Sequence, residues 1–109
     1  MQVLDVRQLA DFVAAHPQAQ LLDVREPAEV AIARIELPDA SITYMPMMQV
    51  PLRLRELDPE QPVVCICHHG GRSAQVGAFL QRQGFTDVYN LIGGIDAWAL
   101  RIYPRVPRY

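Results

Sequence analysis

The sequence contains no lysine: all ten of its basic residues are arginine, which reads as a compositional bias and assigns no function. It also lacks an excess of positive charge, with twelve acidic residues against ten basic ones and a formal charge of −2. Such a balance carries no electrostatic footprint for nucleic acid. No stretch approaches the ~18 consecutive apolar residues that a membrane span needs. Met1 to Phe12 carries Asp5, Arg7 and Asp11 among its apolar residues, so the basic start and apolar core of a secretory leader are missing. Cysteine is scarce: Cys65 and Cys67 lie two apart, the wrong layout for a stapling disulfide framework. A reducing cytoplasm is the expected setting. Internal repeats, linkers and low-complexity segments are absent too.

What is present is the composition of one globular domain. A chain of 109 residues buries roughly two thirds of its unfolded surface, so it can fold without metal or disulfides. Half of the residues are hydrophobic and a fifth are charged, which is ordinary for a globular protein. The expectation is a single domain over residues 1–109.

Short β-rich runs alternate with helical ones, which predicts an α/β domain with a largely parallel sheet. Asp5 can cap a helix and Gln8 completes a capping box, after which Val6, Leu9, Phe12 and Val13 share one face. Leu21 to Val24 suits a buried strand, and Pro27 the first turn of a short helix to about Ala31. Ile35 to Pro51 reads as loop with one strand near Ile42 to Tyr44, and Pro51 to Leu57 as helical. Met45, Met47 and Met48 could form an exposed rim for a protein partner but are read as core filling. Val63 to Ile66 forms the unbroken apolar run of a central parallel strand. A helix from about Arg72 to Gln83, a strand from Val88 to Leu91 and a helix around Ile95 to Leu100 follow. Arg101 to Tyr109 is expected along the surface.

The chemistry concentrates in Cys67-His68-His69-Gly70-Gly71-Arg72-Ser73. A buried strand ends at a cysteine, a four-residue loop follows, and an arginine opens a helix. Sites in open α/β sheets form at the carboxyl ends of strands, where Cys67 falls. Gly70 and Gly71 can let successive N–H groups converge on one point. Such a nest at a helix N-terminus favours negative charge, and Arg72 adds a permanent cation. An anion pocket beside Cys67 favours the thiolate, the nucleophilic form. The bland reading, a structural cysteine before a glycine turn, loses weight against that ordered set. Cys65, in mid-strand, reads as a small hydrophobe. Cys65, Cys67, His68 and His69 do not match structural zinc spacings, so the two imidazoles are placed on the pocket rim or in water.

The same residues resemble the active-site loop of the rhodanese family, Cys-x-x-Gly-x-Arg-Ser. Leu21-Leu22-Asp23-Val24-Arg25-Glu26-Pro27 is similar to that family's upstream signature. Asn90-Leu91-Ile92-Gly93-Gly94-Ile95-Asp96-Ala97-Trp98 is similar to its closing segment. The resemblance implies a doubly wound α/β fold with helices on both faces of the sheet. It also implies a sulfurtransferase that carries sulfane sulfur as a persulfide on Cys67. A small anionic donor such as thiosulfate would load the cysteine, and a thiol, a protein or cyanide would unload it. The amides from His68 to Ser73 would cradle the sulfur, and Arg72 would hold it or attract the donor. No cofactor and no metal are expected, and the chain is read as a monomer or weak homodimer. Asp23 and Arg25 support the site, either at the pocket edge or, as favoured here, by bracing the turn with Glu29. Trp98 and Tyr89 are read as packing.

Two alternatives come from other classes. Phosphatase and arsenate reductase relatives use a loop one residue longer, a wider cradle for a tetrahedral oxyanion. Non-catalytic rhodanese-like binding modules usually lack the cysteine that is kept here. Ala33-Arg34 and Ile35-Glu36-Leu37-Pro38-Asp39-Ala40 depart from the family pattern, which leaves the shape of that loop open.

Overall fold

A computed structural model describes residues 1–38 and 40–109; Asp39, in the loop that departs from the family pattern, lies outside the described residues. Five strands, β1 (Gln2–Leu4), β2 (Gln20–Asp23), β3 (Ile42–Tyr44), β4 (Val63–Ile66) and β5 (Val88–Leu91), form one sheet in the order β1-β5-β4-β2-β3. Every pairing is parallel. Helices α1 (Leu9–Ala15), α2 (Pro27–Ile32) and α3 (Gly71–Arg82) lie in the connections β1–β2, β2–β3 and β4–β5, and α4 (Gly94–Arg101) follows β5.

All four residues of β4 are buried, because this middle strand is covered on both faces. Alternation along it divides the core. Val63, Cys65 and Cys67 join Leu22, Val24, Val76 and Leu80 in the layer under α3. Val64 and Ile66 join Leu4, Leu9, Leu21, Leu91, Ile95 and Trp98 in the layer under α1 and α4. The fold is therefore doubly wound, as expected, and wholly rather than largely parallel. The chain runs outward from β2 to β3 and, after β4, in the opposite sense to β5. The loops after adjacent strands β2 and β4, which pair Asp23 with Ile66, thus open into one crevice at the sheet's carboxyl edge.

Asp5 and Gln8 make the expected capping box, opening a 3-10 turn, Val6–Gln8, that runs into α1. Four readings change. Pro51 to Leu57 is not one helix but two 3-10 turns, Met47–Leu52 and Leu54–Glu56. Pro51 sits inside the first turn, and without an N–H it cannot extend an α-helical ladder. The edge strand β1 has no counterpart in the expected elements; only Leu4 of its three residues is buried, too little for a periodic signal. The segment after α4 does not lie on the surface throughout, since Ile102, Val106 and Tyr109 pack against the apolar layer beneath α4. Of the three methionines, Met45 is core while Met48 is 76% exposed.

Candidate active site

Cys67 follows β4 directly and is 1% exposed. Its Sγ accepts the Gly70 N–H at 3.0 Å and lies 3.2 Å from the Ser73 Oγ. Buried Ser73 donates its hydroxyl to Asn90 Oδ1 at 2.5 Å, and Asn90 Nδ2 donates to the Gly70 carbonyl at 3.1 Å. The Gly70 carbonyl, which also accepts the Ala74 N–H at 3.1 Å, can only accept; it therefore takes the amide nitrogen of Asn90 and leaves Oδ1 for Ser73. Cys67, Ser73, Asn90 and Gly70 thus close a ring of contacts around the sulfur. Sequence reasoning left Asn90 out of the site, because its place beside the loop depends on β5 pairing with β4.

The loop's turn is made at Gly70, whose φ of +114° side chains rarely tolerate, and it caps α3. From the other side, Ile95 N–H donates to the Cys67 carbonyl at 2.9 Å and Asp96 N–H to the His68 carbonyl at 3.1 Å. The N-terminus of α4 therefore holds the loop from below. That docking depends on Gly94, where a Cβ would collide with the carbonyl oxygens of Cys67 and His68. Gly71, by contrast, has open space around its Cα.

Arg72 commits both terminal nitrogens to Glu29 of α2, Nη1 to Oε2 and Nη2 to Oε1, each at 2.7 Å. This bidentate pair holds the Glu29 carboxyl down to about 2 and raises the affinity of Arg72 for its proton. Glu29 Oε2 also accepts the Glu26 N–H, at 2.9 Å. Asp23 and Arg25 form a second, fully buried pair with Nη2 to Oδ2 at 2.7 Å. Arg25 Nη1 reaches past that pair to the Tyr109 hydroxyl at 2.9 Å, and that hydroxyl donates to Glu29 Oε1 at 3.3 Å. The two arginine–carboxylate pairs are thereby joined by one tyrosine, which sequence reasoning also missed; its segment shows no period and no motif.

His68 and His69 stack with ring centroids 3.9 Å apart, and the other face of His68 lies on Tyr109 at 3.9 Å and 8°. Burial, with the neighbouring His69, holds the His68 imidazole below its ordinary pKa. His69 is exposed, with Nδ1 3.9 Å from Asp96 Oδ2. Among the described residues no three His, Cys, Asp or Glu side chains converge as metal ligands. Cys65 is a free, buried thiol whose pKa burial pushes up to about 12. Trp98 is buried in the layer beneath α4 and Tyr89 packs at its edge.

Comparison with known proteins shows the family. The family model for the rhodanese-like domain matches residues 1–101. A "Sulfurtransferase" of Allochromatium vinosum is 40% identical over 94% of this chain and 92% of its own. The "Thiosulfate sulfurtransferase GlpE" of Pseudomonas syringae is 36% identical over 73% of this chain and 72% of its own. A chloroplastic rhodanese-like/PpiC domain-containing protein of Arabidopsis thaliana is 44% identical over 84% of this chain, which spans only 31% of that protein. Among solved structures, a rhodanese-related protein of Thermoplasma volcanium superposes with a TM-score of 0.80 at 28% identity, covering 100% of both chains. Neither Ala33-Arg34 nor the loop after it removes the chain from that company: it belongs to the rhodanese-like domain family.

Proposed function

We propose that the chain, one rhodanese-like domain over residues 1–109, is a sulfurtransferase that carries sulfane sulfur on Cys67. One observation carries this reading: the Cys67 Sγ takes the Gly70 N–H at 3.0 Å, at the N-terminus of the twelve-residue α3. A helix dipole and free amides at that place favour a thiolate and, after transfer, an anionic terminal sulfur. The relatives named sulfurtransferase and thiosulfate sulfurtransferase support the same chemistry.

In the first step the Cys67 thiolate attacks the sulfane sulfur of thiosulfate. The sulfur–sulfur bond of the donor breaks, sulfite leaves with the bonding pair, and Cys67 becomes a persulfide. In the second, an acceptor thiolate or cyanide attacks the outer sulfur and the Cys67 thiolate is released. No electrons enter or leave overall. The thiol can rest its S–H on the Ser73 Oγ; when it ionises, Ser73 can turn its own hydrogen from Asn90 to the sulfur. The amides from His68 to Ser73 form the cradle for the outer sulfur. Arg72 acts through its pair with Glu29, anchoring the start of α3 to α2 and adding charge near the incoming anion. Asp23 and Arg25 support this anchor from β2.

The acceptor is a small thiol or a protein, the chain works as a monomer or weak homodimer, and the two free cysteines suit a reducing cytoplasm. The test is intact mass before and after thiosulfate, on the parent, Cys67→Ser and Cys65→Ser. A gain of one sulfur that cyanide reverses and only Cys67→Ser abolishes is the expected result. No gain on a parent with free thiols would defeat the thiosulfate assignment.

A further inference from the structure

The segment after α4 holds the candidate site at three places, each on a different element. Arg108 pairs with Asp96 of α4, Nε to Oδ1 at 2.9 Å and Nη2 to Oδ2 at 3.3 Å. Asp96 is the residue whose N–H holds the His68 carbonyl. The Tyr109 ring lies face to face on the His68 ring, at 8° between planes. The Tyr109 hydroxyl joins Arg25 to Glu29, the partner of Arg72.

The hydroxyl bridge matters because α2 is weakly held. This helix has six residues and buries none of them, so packing alone does not fix where Glu29 stands. Arg25, in contrast, is locked into the buried pair with Asp23 at the end of β2. Arg25 Nη1 also donates directly to the Glu29 carbonyl at 3.4 Å, and Tyr109 extends that hold from the backbone to the Glu29 carboxylate, and through it to Arg72. It also presses the His68 ring into one orientation. A single side chain thus sets both the cation and the imidazole beside the cradle.

From this arrangement we infer that Tyr109 is a positioning residue of the site, fixing the Arg72–Glu29 pair and His68 so that the anionic sulfur donor is bound in register. The inference rests on the sulfur-transfer reading for its kinetic part and on geometry alone for its structural part. Tyr109 touches no reacting atom, so donor binding is affected rather than the exchange of sulfur.

The experiment compares the parent with Tyr109→Phe and Tyr109→Ala. Thiosulfate KM and kcat are measured, together with the His68 ring-proton chemical shifts and amide exchange over His68 to Arg72. Tyr109→Phe keeps the stacked ring and loses the bridge. Its KM is expected to rise about three- to tenfold with kcat within about twofold, the pattern of lost positioning of a charged group. Tyr109→Ala loses both contacts: KM rises further, the ring-current shift of His68 disappears, and the loop amides exchange about tenfold faster. KM within about twofold of the parent in both variants overturns the inference. So do unchanged His68 shifts and loop exchange in Tyr109→Ala. A parent that turns over no thiosulfate defeats the sulfur-transfer reading instead, and the shifts and exchange rates then decide the role of Tyr109 without any activity.

Discussion

The Ser73 hydroxyl donates to Asn90 Oδ1 at 2.5 Å, within a ring of contacts that also contains the Cys67 sulfur. Asn90 belongs to β5 and Ser73 to α3, so this bond ties the strand beside β4 to the helix that follows it. Replacing the amide removes the acceptor of the buried Ser73 hydroxyl and one of the two donors to the Gly70 carbonyl, which keeps the Ala74 N–H.

Asn90→Ala is expected to cost about 1–3 kcal/mol of stability, the usual penalty for orphaned buried polar groups. Sulfur transfer should fall about tenfold as the Gly70 turn loosens. Asn90→Asp places a carboxylate beside the Cys67 sulfur and should lower the transfer rate at neutral pH further still. Urea unfolding and single-turnover persulfide formation give the two numbers. Full activity in Asn90→Asp would rule out the electrostatic role.

Gly94 and Gly71 separate steric need from mere presence in a glycine-rich loop. At Gly94, with φ of +54°, a Cβ meets backbone oxygens that cannot swing away. Gly94→Ala should therefore cost about 2 kcal/mol or more and displace the Cys67 carbonyl from α4. Gly71→Ala, with nothing nearby, should leave stability within about 0.5 kcal/mol. Thermal or urea unfolding of the two variants decides the matter, and equal losses would contradict the docking of α4 under the loop.

The Glu29–Arg72 pair should make stability depend on acid. The Glu29 carboxyl is held at about 2, against 4.5 for an ordinary glutamate. Its folded-state value is depressed, so its contribution is fully present above about pH 4.5 and is lost as pH falls towards 2. With the pair partly open to solvent, that contribution is on the order of 2 kcal/mol. Glu29→Gln should be less stable than the parent at pH 7, and the difference should shrink on titration to pH 3. A gap that does not narrow would place the stabilisation elsewhere.

His68 should titrate below the 6.5 of an ordinary imidazole, because burial and the adjoining His69 disfavour its charged form. At neutral pH it therefore offers the pocket a neutral ring. In His69→Ala the His68 midpoint should move upward, because the neighbouring charge that disfavours its protonation is gone. Ring-proton NMR titration reads this directly; a His68 midpoint above 6.5 in the parent would contradict the buried, stacked placement.

The strand, loop and helix from Val63 to Arg82 are legible in the sequence because each announces itself locally. An unbroken apolar run marks the covered strand, two glycines mark the turn, and apolar residues on one helical face follow. The Asp5–Gln8 box is legible for the same reason. What escaped depends on partners distant in sequence. Asn90 enters the site through strand order, which no periodicity records. Tyr109 enters through a segment with two prolines whose apolar residues follow neither helical nor strand spacing. Arg72 reads as a free cation until α2 brings Glu29 to it. The 3-10 turns around Pro51 were hidden because Leu54 and Leu57, three apart, imitate a helical face.

Because all five strands run parallel, the candidate site lies at one edge of the sheet, where the strands end, and the strands begin at the other. Cys67, Arg25 and the Gly93-Gly94 turn all leave strands at the first edge. The connections that enter β2, β4 and β5, around Gln18, Glu60 and Gly84, are exposed at the second. The four residues of β4 hold these edges roughly 13 Å apart at the rise of an extended strand. A fluorophore, affinity handle or fused carrier attached near Glu60 would therefore stand a strand's length from the Cys67 sulfur, leaving the edge with the candidate site uncovered.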